Sequence, residues 1–311
     1  MFETLTLSRN GTSILQVTAK NERQRGDITE IARYIDQNDV VLLRGFDFET
    51  VDDFKTFSDA IGESFKPYAG GAFERKTVNG DNTVLEVSGG KTSLVPLHGE
   101  MYYGSIRPSR LWFYCEIAPT TGGETLLCDG KAFYQGLSES TKEILKNNKL
   151  SYIVTYLDQE WQAIFQSSNL KDVQAYCDGS GLVLSTTKDG GIQTTYTTSP
   201  LIRNSRDEVL FINNIIPVLG QEYILGNQNR VVRWENGEKI SPDIFKELLD
   251  VSDRLAYRHK WQSSDLVILS NNTMLHGRTE ITDQRRRVLV RLGYEECLVE
   301  ACQLDESCLL D

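Results

Sequence analysis

The segment S-D-L-V-I-L-S-N-N-T-M-L-H-G (264–277) is an apolar run, a polar break and a second apolar run ending on His276. Shortly after it, R-R-R-V-L-V-R-L-G-Y-E-E (285–296) alternates basic and apolar side chains. The first reads as a buried strand that carries His276 near its end. The second reads as a strand with two unlike faces. Strands that follow one another without an intervening helix argue against a parallel doubly wound sheet, where the two alternate.

Similar signals recur upstream. D-V-V-L-L-R-G-F (39–46), S-R-L-W-F-Y-C-E-I-A (109–118), E-T-L-L-C-D (124–129), K-L-S-Y-I-V-T-Y-L (149–157) and D-E-V-L-F-I-N-N-I (207–215) read as strands. The stretch 187–204, around D-G-G, reads as a hairpin. Helices are expected over 27–37, with Asp27 as N-cap and Ile28, Ile31, Ala32 and Ile35 on one face, and over about 50–62, marked by Phe54, Phe57 and Ile61. Further helices are expected over 138–148, 171–181 and 240–260. The expectation is a mainly β fold, a sandwich or jelly-roll core with flanking helices and helical insertions. With no repeat or low-complexity linker, residues 1–311 read as a single domain with an inserted lobe at about 150–235.

A net charge of -11 argues against a general nucleic-acid binder, which needs clustered Lys and Arg. No apolar run is long enough for a membrane helix, and the first residues lack a signal-peptide pattern, so a cytoplasmic protein without a membrane partner is expected. The six cysteines form no C-x-x-C pair and read as free thiols, and the terminal C-L-L-D resembles a prenylation box only superficially.

The chain has three histidines, His98, His259 and His276. His98 lies in P-L-H-G-E-M-Y-Y-G (96–104), two residues before Glu100. With 44 acidic residues in 311, composition alone makes an H-x-E unremarkable. On a strand, however, positions i and i+2 share a face, so His98 and Glu100 can present imidazole and carboxylate together. His276 is the natural third ligand. His259, in A-Y-R-H-K at the polar end of the 240–260 helix, reads as solvated. Two histidines and a carboxylate suit iron with open positions for a co-substrate and dioxygen, or catalytic zinc, although H-E-x-x-H is absent. Arg287 and Arg291 alternate with Leu289 on one face of the last strand, where an anionic ligand would satisfy them. Arg285 and Arg286 read as a solvated strand edge.

Taken together, H-x-E, G-G-E-T (122–125), H-G-R (276–278) and R-x-x-x-R (287–291), in this order, resemble the taurine dioxygenase/clavaminate synthase-like family of Fe(II)- and 2-oxoglutarate-dependent oxygenases, over nearly the whole chain. The resemblance implies a double-stranded β-helix (jelly-roll, cupin-like) core and iron ligands His98, Glu100 and His276. It implies that Thr125 and Arg287 hold the distal carboxylate of 2-oxoglutarate, that O2 is the second co-substrate, and that Arg291 meets an acidic substrate group. Glu100 in the carboxylate place argues against halogenation and for hydroxylation, or a desaturase or epoxidase outcome. The middle segment is similar to relatives from natural-product and nonribosomal peptide pathways, which act on amino-acid-like substrates, free or on a carrier protein. Met101, Tyr102 and Tyr103 are placed at the cleft mouth or in the core, and Asn213, Asn214 and Arg278 are candidates for supporting contacts. A zinc-dependent hydrolase using the same three ligands, or a non-catalytic β-sandwich, gives no reason for Thr125 and Arg287.

Overall fold

The computed structural model describes residues 2–19, 28–61, 64–65, 76–87, 92–158, 160–165 and 167–294. Asp27, Cys297, Cys302, Cys308 and the terminal C-L-L-D lie outside them. Cys115, Cys128 and Cys177 are free, buried thiols.

The segment 264–278 forms two strands in two sheets. Leu266–Ser270 lies in the middle of the major sheet, between Val40–Arg44 and Arg110–Ile117. Arg287–Tyr294 lies next to Arg110–Ile117. The sheet extends on one side through Thr12–Ala19 to Phe2–Arg9, and on the other through Asp81–Glu86 to Thr77–Val78. After the polar break, Met274–Arg278 enters a minor sheet of order Tyr257–His259, Thr125–Asp129, Met274–Arg278, Val95–His98. The two sheets pack face to face: Phe113, Cys115, Val288 and Val290 of one share a core with Leu127 and Met274 of the other. This is a jelly-roll.

The outer face of the major sheet is covered by helices Ile28–Gln37 and Val51–Ala60. Ile31, Ile35, Phe54 and Phe57 pack there against Trp112, Tyr114 and Leu289. Thr50 starts the second helix with a capping box closed by Asp53, which satisfies donors that a bare terminus would strand.

Between the metal-motif strands and the closing strands, Val183–Thr186, Ile192–Thr198, Leu150–Tyr156 and Arg230–Trp234 form a separate four-stranded sheet. Helices Ile215–Tyr223 and Pro242–Leu255 share a core with it. Two expectations change here. The strand expected over 207–215 is only Val209–Leu210, and Ile215–Tyr223 is helical. Pro217 is tolerated there because the first-turn N–H it lacks has no partner in any helix. The helix expected to reach residue 260 stops at Leu255, where Ala256 leaves helical geometry and Tyr257–His259 pairs with Thr125–Leu127. Among the described residues no helix is long and apolar enough to cross a membrane.

Candidate active site

Paired residues of an antiparallel ladder point to the same face. His98 pairs with His276, Arg278 with Thr125, and Thr125 with His259. All five side chains therefore share one face of the minor sheet. It is the interior face, because Leu127, which pairs with His276, packs in the core between the sheets. Phe113 of the major sheet lies 5.6 Å from the His276 ring, centroid to centroid.

Glu100 follows the strand Val95–His98 on a tight turn. Gly99 is required there, since a Cβ at that position would sit 2.5 Å from the Tyr102 ring. The turn brings Glu100 Oε2 to 3.6 Å from His276 Nε2 and 4.0 Å from His98 Nε2. One ligand atom from each of the three residues lies within 4.8 Å of the others. Metal bonds of about 2.1 Å at right angles place neighbouring donors about 3 Å apart, so a small inward adjustment closes the set on one ion. His98 Nδ1 is 2.9 Å from the Pro96 carbonyl, the contact that keeps the proton on Nδ1 and leaves Nε2 free to ligate. Two imidazoles and one carboxylate on one face are the donor set of non-haem iron(II) oxygenases.

Deeper between the sheets lie two arginines. Arg278 is 3% exposed and donates to the Ser93 carbonyl at 2.7 Å, and burial holds its guanidinium below the usual value. Arg286 is 6% exposed; its Nε donates to the Gly123 carbonyl at 2.8 Å, while Nη1 and Nη2 meet no hydrogen-bond partner among the described residues. Burial, then the charge of Arg278, pushes Arg286 down to about 10. Gly123, at φ +70°, is held to glycine by this side chain, because a Cβ there would lie 2.6 Å from Arg286 Cδ. Thr125, two residues on, is 4% exposed and its Oγ1 accepts from Trp261 Nε1 at 3.1 Å. A hydroxyl that accepts from the indole keeps its own proton for another acceptor. A buried cation with two idle donors and a hydroxyl with a proton to give suit a carboxylate.

This placement corrects the expectation for the last strand. Val288, Val290 and Leu292 face the interior, and Arg286 continues that face. Arg287, Leu289 and Arg291 point the other way. Arg287 is half-buried and ion-paired to Glu116 and, at 3.6 Å, to Glu86. Arg291 is buried beneath Val51–Ala60, bonded to Ser58, to Asp59 at 2.8 Å and to Thr83 at 3.2 Å, with its guanidinium 3.7 Å from the Phe65 ring centre. Neither reaches the space beside His276. Arg286, which read as a solvated edge, is the arginine of this segment that faces the interior, beside Arg278. The alternation itself contained the signal, since the wholly apolar face of V-L-V-R-L is the one that belongs inside.

His259 is also corrected. It is 2% exposed, 3.5 Å from Asp265 Oδ2, and edge-on to Trp261. Arg44 binds both oxygens of Asp265, at 2.8 and 2.6 Å. Burial raises the Asp265 carboxyl, but Arg44 and His259 outweigh it and hold it below the usual range. Met101 and Tyr102 are core residues. Asn213 and Asn214 grip the metal-motif turn: Gly99 N–H donates to the Asn213 carbonyl at 3.0 Å, and Asn214 Nδ2 donates to the Gly99 carbonyl at 2.6 Å.

Comparison with known proteins agrees with this geometry. Residues 4–292 match the taurine catabolism dioxygenase TauD, TfdA family. A clavaminate synthase-like protein of Arabidopsis thaliana is 28% identical over 271 residues, 82% of each chain. The dapdiamide synthesis protein DdaC of Enterobacter agglomerans is 22% identical over 276 residues, again 82% of each. Among solved structures, PvcB of Pseudomonas aeruginosa superposes with a TM-score of 0.58 at 18% identity, covering 94% of this chain and 91% of that one. The family match spans both sheets and the strands of His98 and His276, and the chain belongs to the TauD, TfdA family as a non-haem Fe(II)- and 2-oxoglutarate-dependent dioxygenase.

Proposed function

We propose that the enzyme hydroxylates an unactivated C–H bond of an amino-acid-like small molecule in a natural-product pathway, consuming O2 and 2-oxoglutarate and releasing succinate and CO2. The observation that carries the co-substrate half is Arg286, a buried guanidinium with two donors unpartnered among the described residues, on the same interior as His98, Glu100 and His276. The substrate half is supported by relatives: DdaC acts in dapdiamide synthesis, and PvcB is an oxygenase from an isonitrile synthetic pathway.

His98, Glu100 and His276 would hold the iron, which supplies the oxidising chemistry when bound. Arg286 and the Thr125 hydroxyl fix the far carboxylate of 2-oxoglutarate, so its 2-oxo acid end is directed back toward the two histidines. Phe113, Leu127 and Met274 form an apolar wall that excludes water from the reacting end. Because Glu100 keeps the carboxylate place, the protein leaves no vacated position for a halide, which favours oxygen transfer. We infer that the lobe at about 150–235 belongs to the same domain and shapes the substrate side. A free substrate and one presented on a carrier protein fit this reading equally.

The test is anaerobic addition of Fe(II) and 2-oxoglutarate, followed by a substrate panel. A weak visible charge-transfer band, then substrate-dependent succinate release on admitting air, is the expected result. Absence of both overturns the oxygenase reading. Succinate release with an alkene or epoxide product overturns the hydroxylase assignment.

A further inference from the structure

The turn between Leu266–Ser270 and Met274–Arg278 holds a side chain with every polar group in use. Asn271 is 0% exposed. Its Oδ1 accepts from the Glu100 N–H at 2.8 Å, and its Nδ2 donates to the Glu100 carbonyl at 3.0 Å and to the Pro108 carbonyl at 2.7 Å. Its own N–H donates to the Ser109 carbonyl at 2.7 Å, and its carbonyl accepts from the Tyr102 hydroxyl at 3.1 Å. Two of these bonds close on the backbone of one residue, the metal ligand Glu100, which lies 171 positions away in sequence.

The residue after Glu100 explains why such a grip is needed. Met101 has φ +62°, in the left-handed region that residues with a Cβ rarely occupy. A backbone in that state persists only where its surroundings hold it, and Asn271 bonds the chain on both sides, at Glu100 and at Pro108. Asn271 also lies five residues before His276, in the turn that leads into the strand delivering it. One carboxamide therefore joins the backbone of one ligand to the strand of another.

We propose that Asn271 is a positioning residue for the metal centre, fixing the Glu100 carboxylate relative to His276 without touching the ion. The proposal rests on the assignment of His98, Glu100 and His276 as ligands. A purely structural asparagine would lower stability and leave metal affinity alone. The test measures Co(II) affinity by chelator competition and melting temperature of the metal-free protein, for the full chain carrying Asn271→Ser or Asn271→Asp. The aspartate variant keeps the shape but loses both Nδ2 donors, and it carries the test if the serine variant does not fold. Val267→Ala, a buried change on the preceding strand, is the stability control.

The expected result is Co(II) binding weakened about 10- to 100-fold in the Asn271 variants, with the control within about twofold of wild type. In a Glu100→Ala background, adding Asn271→Ser should weaken binding no further, because the amide acts through that carboxylate. Affinity within about twofold of wild type in the Asn271 variants overturns the proposal. So does an equal further loss in the Glu100→Ala background. Wild-type protein that fails to bind Co(II) removes the ligand assignment itself and this proposal with it.

Discussion

Replacing Arg286 with methionine should move two quantities in opposite directions. Without ligand, the guanidinium lies between the sheets with Nη1 and Nη2 unpartnered among the described residues and Arg278 as a like-charged neighbour. The fall of its pKa to about 10 corresponds to about 3 kcal/mol by which folding disfavours the charged form. The unfolded chain binds the proton more tightly, so this cost is present below pH 10 and is relieved as pH rises through that value. Methionine fills similar space without the charge, and loses the bond to the Gly123 carbonyl, worth about 1 kcal/mol. The net expectation for the ligand-free variant is a gain of about 1–2 kcal/mol, or roughly 2–5 °C in melting temperature.

Affinity should fall at the same time. Truncating one partner of a buried charge pair costs about 2–5 kcal/mol, which weakens 2-oxoglutarate binding by roughly 30-fold to several thousand-fold. Two assays suffice: calorimetric unfolding of metal-free protein, and anaerobic titration of 2-oxoglutarate into the Fe(II) form. Arg287→Ala is the contrast, because its ion pairs are half-exposed and worth less than about 1 kcal/mol. It should leave 2-oxoglutarate affinity within about twofold of wild type. A destabilised Arg286→Met that still binds 2-oxoglutarate within threefold of wild type would refute the reasoning.

Glu100→Ala and His276→Ala should each abolish the visible band of the Fe(II)–2-oxoglutarate complex, whereas His259→Ala should keep it while losing about 2–4 kcal/mol of stability, read by urea unfolding. Trp261→Phe removes the donor that fixes the Thr125 hydroxyl, so the KM for 2-oxoglutarate should rise several-fold with metal affinity unchanged. Asp265→Asn strands Arg44 and should cost about 3–5 kcal/mol at pH 7. Because the Asp265 pKa is depressed in the fold, its stabilisation is present above about pH 4 and lost as pH falls below that. The gap between wild type and Asp265→Asn should therefore narrow in acid titrations of unfolding. Arg291→Met should lower the melting temperature through the contacts under Val51–Ala60 and leave the 2-oxoglutarate KM unchanged.

Much of this architecture was legible because its signals are local. The apolar runs at 40–44, 110–117 and 266–270 became central strands, and the periodic faces at 28–37 and 51–60 became helices. His98, Thr125, His276 and Arg278, from the H-G-E, G-G-E-T and H-G-R segments, share the interior face of the minor sheet, while Glu100 comes to it from a turn and not from the strand itself. The Asn-Gly pairs at 10–11 and 79–80, each with positive φ at both residues, are local hairpin signals of the same kind, and they form the turns that join the hairpins Phe2–Ala19 and Thr77–Glu86. Arg286 escapes the sequence reading because the alternation of Arg287, Leu289 and Arg291 marks one face of the strand, and it is the other, apolar face that the sheets bury. His259 was misread because a single residue, Ala256, turns a helix end into a strand, and no periodicity records that. The Asn271 contact spans 171 residues and has no local signature at all.

The hold of Asn213 and Asn214 on Gly99 has a consequence for how this enzyme is recombined with its relatives. The middle lobe looks like an exchangeable module, since its sheet is separate from the jelly-roll. Yet the loop between Val209–Leu210 and Ile215–Tyr223, inside the lobe, carries the two asparagines whose bonds shape the H-G-E turn. A chimaera that takes only the first part of a foreign lobe, up to residue 212, and keeps Asn213 and Asn214 preserves the turn. One whose breakpoint falls after residue 214 imports a foreign grip on Gly99, between His98 and Glu100, and is expected to fold with a damaged metal centre. The useful crossover point is therefore set by two asparagines, and it lies within the lobe, ahead of Ile215–Tyr223 and of the sheet strand Arg230–Trp234.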